Sequence, residues 1–357
     1  MTTGNPALIE LIRTEIKERG PVSFAWFMQQ ALYHPAHGYY SSGRCAIGRH
    51  GDYFTNISVG PLFGQLLAAQ FAEIWERLGK VENFVIVEQG AHDGQFARDV
   101  LESTQKHAPE FFAALCYRII EPFPILQDRQ ARALAEFQGK IEWRSSIDAL
   151  DPFTGVHFSN ELLDAMPVRL ISNGTEKLVD LDGDRLIFVE RPIRDDRKFN
   201  QPALDWLESI AAKLRHGCVL ILDYGHARGE FETTLQVRAQ HRHLDSPFEQ
   251  IGQADMTAHV DWTSIAGRAE ENGLRAAGFT DQHHFLAGII SEWPDLAQGV
   301  DPKIKRALQT LLHPEMLGRT FQVLALAKDV DVPMPLAGFK FAREARSALG
   351  LNRSNLG

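Results

Sequence analysis

The sequence predicts an α/β fold, with a mostly parallel sheet covered by helices on both faces. Three observations predict it. Short apolar runs alternate with amphipathic stretches from residue 84 to residue 159. The first run ends in a glycine turn that opens a helix. The strongest run, residues 218–223 (CVLILD), is continuous and ends in a carboxylate, as a strand buried on both faces does.

The elements follow in order. Residues 6–19 place apolar side chains at 8, 9, 12 and 16, which is helical spacing, and Gly20-Pro21 ends the run. Residues 22–33 form a second short helix. Residues 61–78 form an amphipathic helix with Pro61 at its start and Gly79 past its end. Strands are expected at 84–87, 116–121, 141–144, 155–159 and 218–223, with helices at 93–105 and 124–137 between them. Residues 168–191 carry Asn-Gly and Asp-Gly between alternating apolar residues, so they read as inserted hairpins. Two late strands, 283–290 and 320–327, flank a helix at 301–312. The expected organisation is a helical extension with a lid loop (1–80), a main domain (81–330, hairpin insertion at 168–200) and a tail (331–357).

Composition narrows the function. Of 357 residues, 44% are hydrophobic, so a sizeable core is available. The charge is 37 − 46 = −9, which argues against nucleic acid as the default partner. No run approaches about 18 apolar residues, so no membrane span is expected. Cys45, Cys116 and Cys218 are far apart, without metal-type spacing. They suggest a reduced, cytoplasmic protein; mitochondrial is the alternative, although Glu10 and Glu15 do not suit an acid-poor transit peptide.

The glycine turn carries the chemistry. Glu88 ends the first strand, Gly90 and Gly94 follow, and Glu121 ends the second strand. Ligands of open α/β sheets bind at the carboxyl ends of strands, where glycine lets backbone approach closely. Glu88 can face a cationic group and Glu121 can take both hydroxyls of a ribose. A dinucleotide would need Gly-x-Gly-x-x-Gly. The adjacent acid suits the sulfonium and ammonium of S-adenosylmethionine better, and an ordinary strand-to-helix turn is the remaining alternative.

Several segments then resemble one family, the MidA-like class I methyltransferases, which include a mitochondrial complex I assembly factor that methylates a protein arginine. They are His34-Pro35-Ala36-His37-Gly38-Tyr39-Tyr40, Gly51-Asp52-Tyr53-Phe54-Thr55, Phe63-Gly64-Gln65-Leu66, Asn160–Val168, Asp223-Tyr224-Gly225-His226 and Asp255–Trp262. The resemblance covers nearly the whole chain. It implies a Rossmann-like class I methyltransferase sheet with an antiparallel late strand. It also implies S-adenosylmethionine as cofactor and methylation of arginine in an unknown protein substrate.

The residues expected to act are Glu161 as a guanidinium clamp, Asp164 on the same helical face if a helix starts there, and His226 as proton acceptor. Asn160 is expected at the amino-acid end of the cofactor. Ser146, between Ser145 and Ile147, is expected at its adenine. Gly51–Thr55 can act as a lid. Structural readings compete: Asn160 and Asp164 can cap a helix, His226 can sit in a plain turn, and Asp261 can cap helix 262–272. Two departures touch the pocket. His92 replaces the middle glycine of the family's turn, and Asn56-Ile57-Ser58 lacks the acid that normally follows Thr55. They leave open a non-catalytic binding or assembly factor, beside a small-molecule methyltransferase.

Overall fold

The structure is a computed structural model that describes residues 2–43, 55–193, 200–227, 235–240, 242–298, 301–330 and 335–351. The chain forms two compact units, each assembled from three stretches. The first comprises Met1–Thr55, Leu163–Asp205 and Glu232–His259. The second comprises Asn56–Leu162, Trp206–Phe231 and Val260–Gly357.

In the first unit, Asn5 caps the helix Pro6–Arg19, its side chain accepting from the amides of Ala7 and Leu8. Ser23 caps the next helix, Phe24–Tyr33, in the same way. The expected hairpins are present as Leu170–Ser172, Thr175–Asp182 and Arg185–Pro192, joined antiparallel. Asn173 and Gly174 both take positive φ, as a two-residue hairpin turn requires. Glu176 is fully buried in this sheet and accepts from Arg169 Nε (2.8 Å) and Arg191 Nη2 (2.9 Å). That pairing holds its carboxyl below the usual range against the cost of burial.

The second unit is built on an eight-stranded sheet. Its seven main strands are β1 (Phe84–Gln89), β2 (Leu115–Ile120), β3 (Ile141–Arg144), β4 (Phe153–Asn160), β5 (Leu214–His226), β6 (Arg275–Asp281) and β7 (Phe321–Lys328). Their spatial order is β3-β2-β1-β4-β5-β7-β6. Pairing is parallel from β3 through β5, and β7 runs antiparallel to both β5 and β6. Val260–Asp261 adds a short parallel pairing at the end of β5.

The core forms where helices Leu62–Arg77 and Gln95–His107 cover one face of this sheet. Phe96 stacks on Phe158 of β4 with centroids 4.4 Å apart, and Phe71 meets Phe158 edge-on at 5.6 Å. All three rings are fully buried. His157, on the opposite face of β4, is also fully buried, and burial pushes its pKa down to about 3, so it stays neutral. No helix among the described residues is long and apolar enough to cross a membrane.

Two expectations need correction. Residues 283–290 are not a strand but the middle of helix Gln282–Glu292. Asp281 caps that helix by accepting from His284 N, and Phe285, Leu286 and Ile289 bury one face of it. The late strand is β6 instead. Its sequence, RAAGFTD, has weak strand character, and pairing with β7 overrides that. The second correction concerns residues 161–167, which are not helical. Glu161 takes φ +54° there, so the chain turns sharply as it leaves β4. Asp261 does cap its helix, accepting from Thr263 N and Ser264 N.

Replacing Phe158 with Ala empties the centre of the aromatic stack. Chemical denaturation should show a loss of about 3–5 kcal/mol with an unchanged slope.

Candidate active site

The strand order reverses between β1 and β4, whose chains leave the sheet in opposite lateral directions. Ligands of open α/β sheets lie outside the carboxyl ends of strands at that reversal. Glu88, Gln89 and Gly90 leave β1 there, and Asn160 and Glu161 leave β4. A Cβ added at Gly90 would stand 3.6 Å from Leu162 Cδ1 and 3.9 Å from the Asn160 carbonyl, so the two strand exits are neighbours.

The turn itself keeps one backbone pattern. Gly90 (φ +85°), His92 (φ +48°) and Gly94 (φ +84°) are all left-handed. The conformation therefore needs glycine-like freedom at three alternate positions, and His92 adopts it at a steric cost. Gly94 also lies close to its neighbour helix: a Cβ there would meet Leu134 Cδ1 at 3.2 Å and Gln130 Cα at 3.4 Å.

Glu88 is buried and accepts from Tyr117 Oη at 2.7 Å. Burial raises its pKa to about 8, against the lowering effect of the tyrosine. Asp99, in the helix that follows the turn, is likewise raised to about 6 by burial. Glu121 is buried just beyond β2 and pushed up to about 7, again by burial. Its two carboxyl oxygens accept from Phe123 N (3.0 Å) and Gln130 Nε2 (3.1 Å). Gln130 Nε2 also reaches the His92 carbonyl (3.0 Å), and Gln130 Oε1 accepts from Trp143 Nε1 (2.9 Å). One buried amide thus ties the glycine turn to the ends of β2 and β3.

At the end of β4, Asn160 is buried, with its Oδ1 accepting from Asn56 Nδ2 (3.0 Å) and its Nδ2 donating to Glu161 Oε1 (2.9 Å). Asn56 is fully buried, and its Oδ1 has no hydrogen-bond partner among the described residues. Asp223 is buried at the end of β5 and accepts from Leu162 N (3.1 Å) and Tyr224 N (2.8 Å), which pins the turn after Asn160.

The other predicted residues lie as follows. His226 ends β5, half-buried, in parallel register with Asp261. Ser146 is exposed after β3, and its Oγ accepts from Ala149 N at 3.4 Å. Asp164 belongs to the first unit, where it is buried and its carbonyl accepts from Ala258 N. Residues 51–54 of the lid, like Cys45, lie outside the described residues; Thr55 is buried.

Sequence reasoning missed Gln130 and Tyr117, and marked Asn56 only as part of a segment that lacks an expected acid. Gln130 left a trace: it interrupts the apolar stripe Leu126–Gln130–Leu134 at helical spacing, where a buried polar side chain must be there to bond something. Tyr117 left none.

Comparison with known proteins decides the family. A family model described as "Putative S-adenosyl-L-methionine-dependent methyltransferase" matches residues 66–280. The chain belongs to this methyltransferase family. Adenosylmethionine is its methyl donor. A Drosophila melanogaster relative, named protein arginine methyltransferase NDUFAF7 homolog, mitochondrial, is 26% identical over 94% of this chain and 89% of its own length. The human protein arginine methyltransferase NDUFAF7, mitochondrial, is 25% identical over 94% of this chain and 85% of its own. The crystal structure of a Burkholderia thailandensis protein bound to S-adenosyl-homocysteine superposes with a TM-score of 0.86, at 26% identity, covering 97% of this chain and 99% of that one. The expected cytoplasmic location is overturned by these relatives, which are named as mitochondrial. Scattered cysteines report a redox state, not an address.

The residues present fit the donor. Asn56 Oδ1, Glu121 and Glu161 are acceptors, and the ligand brings an ammonium and two ribose hydroxyls as donors.

Two outcomes are expected. Glu121 has a folded pKa of about 7 against an ordinary 4.5, so in that window only the folded state holds the proton. Stability should therefore fall as pH rises from about 4.5 to 7. In Glu121→Gln, denaturation at pH 5 and pH 8 should show that fall reduced by about 3 kcal/mol. His92→Gly removes left-handed strain but adds chain entropy, and thermal unfolding should show a net gain of about 0.5–1 kcal/mol.

Proposed function

We propose that the protein transfers a methyl group from adenosylmethionine to an arginine nitrogen of a protein substrate. The observation that carries this reading is the near full-length match to relatives named as protein arginine methyltransferases. The acidic character of the strand ends supports it, because a guanidinium needs carboxylates to grip its planar fork.

Bound adenosylmethionine supplies a methyl on a sulfonium, open to in-line displacement. The N–CH3 bond forms as the S–CH3 bond breaks, and the sulfur keeps the bonding pair as a neutral thioether. The protein's part is positioning and electrostatics. Gly90 and Gly94 let backbone come close to the ligand. Glu121 takes the ribose hydroxyls, Ser146 borders the adenine, and Asn160 stands at the amino-acid end. Glu88 lies buried at the start of the turn, bonded to Tyr117 Oη. Glu161 grips the guanidinium and keeps its nitrogen lone pair on the methyl. His226 accepts the proton the methylated nitrogen loses. The left-handed backbone of Glu161 supports a functional role, since such strain clusters at active sites.

Incubation with methyl-tritiated donor and a hypomethylated lysate tests this reading. Label should appear in protein and be recovered as methylarginine after hydrolysis. Glu161→Gln should lower the labelling rate by about a hundredfold or more. Label confined to small molecules would overturn the substrate class, and undiminished labelling by Glu161→Gln would remove the clamp.

A further inference from the structure

The three side chains at the end of β4 form a hydrogen-bond chain with a direction. Asn56 Nδ2 donates to Asn160 Oδ1 at 3.0 Å, and Asn160 Nδ2 donates to Glu161 Oε1 at 2.9 Å. A carboxylate accepts hydrogen bonds and donates none, whereas an amide has one accepting end and one donating end. Glu161 therefore obliges Asn160 to turn its NH2 towards it. Asn160 then offers only an oxygen to Asn56, which obliges Asn56 to turn its own NH2 inwards. The accepting end of Asn56 is left over. That oxygen is buried, with no partner among the described residues, in a side chain that is 0% exposed.

A buried carbonyl without a donor is costly, and native proteins rarely keep one. The opposite arrangement is no escape. If Asn56 presented its NH2 outwards, its oxygen would take the Asn160 NH2, and the Asn160 oxygen would then face the Glu161 carboxylate. Two acceptors in contact repel, so the carboxylate at one end fixes the polarity at the other.

We infer that Asn56 receives the α-ammonium of the cofactor's amino-acid end, and that Glu161 sets this preference for a donor by fixing the orientation of both amides. The inference rests on adenosylmethionine binding at this strand reversal, and it places Asn160 as the link behind Asn56. It also gives the segment after Thr55 a role that does not need the acid missing there. A neutral oxygen, aligned by a carboxylate two residues removed in the chain, takes the place of a direct charge. The cofactor and the proposed substrate clamp then share one hydrogen-bond chain, so filling one end orients Glu161 at the other.

Isothermal calorimetry with three probes tests this: S-adenosylhomocysteine, its decarboxylated analogue, which keeps the ammonium, and its deaminated analogue, which keeps the carboxylate. Wild-type protein should bind the first two and bind the deaminated analogue about tenfold or more weakly. Asn56→Ala should weaken the first two about tenfold or more and leave the deaminated analogue within about twofold. Glu161→Gln should narrow the gap between decarboxylated and deaminated analogues, because a carboxamide lets the chain reverse. This variant keeps the test decisive should Asn56→Ala not fold. A wild type that binds S-adenosylhomocysteine but treats both analogues alike overturns the assignment to Asn56 and leaves the methyltransferase reading intact. So does a loss in Asn56→Ala that falls on the deaminated analogue. Failure of wild-type protein to bind S-adenosylhomocysteine at all overturns both.

Discussion

The parallel pairing of β1 with β4 is the constraint on which the site depends. It aligns Gln89 with Ser159 and so ends both strands at one level, with Gly90 and Asn160 emerging side by side. Because β2 lies on one flank of β1 and β5 on the far flank of β4, the chains leaving the two strands diverge. The crevice is a consequence of topology, and the side chains only furnish it. The stacked rings of Phe96 and Phe158 hold this pairing against the helix that begins at Gln95, so the core and the glycine turn are fixed by the same contact.

The furnishing is largely acidic and largely buried. Glu88, Asp99 and Glu121 are each raised in pKa mainly by desolvation, and none forms an ion pair with a lysine or arginine among the described residues. Burying carboxyl groups in this way opposes folding. Their neighbours moderate the cost: Tyr117 donates to Glu88, Gln95 to Asp99, and Gln130 to Glu121. A cationic ligand suits such surroundings, since opposite charge favours the ionised form that burial disfavours.

His92 is a non-glycine residue held in a left-handed turn. The resemblance implies a glycine at this place, beside the pocket. His92 takes a left-handed φ, and its carbonyl is held by Gln130. The turn therefore carries left-handed φ at three alternate positions although only two of them are glycines.

By itself the sequence determined the alternation of strands and helices, the hairpins marked by Asn-Gly and Asp-Gly, the cap at Asp261, and the glycine turn with its flanking acids. These are local properties: period, propensity and turn chemistry act within a few residues of the chain. Only the tertiary structure decided the strand order, the strand at 275–281 in place of 283–290, and the turn at Glu161 where the sequence left a helix open. It alone joined Asn56 to Asn160, 104 positions apart, and Gln130 to the His92 carbonyl, 38 apart. Such partners are chosen by the pairing of distant strands and by the need of each buried polar atom for a hydrogen bond, and neither is written in any single stretch of residues.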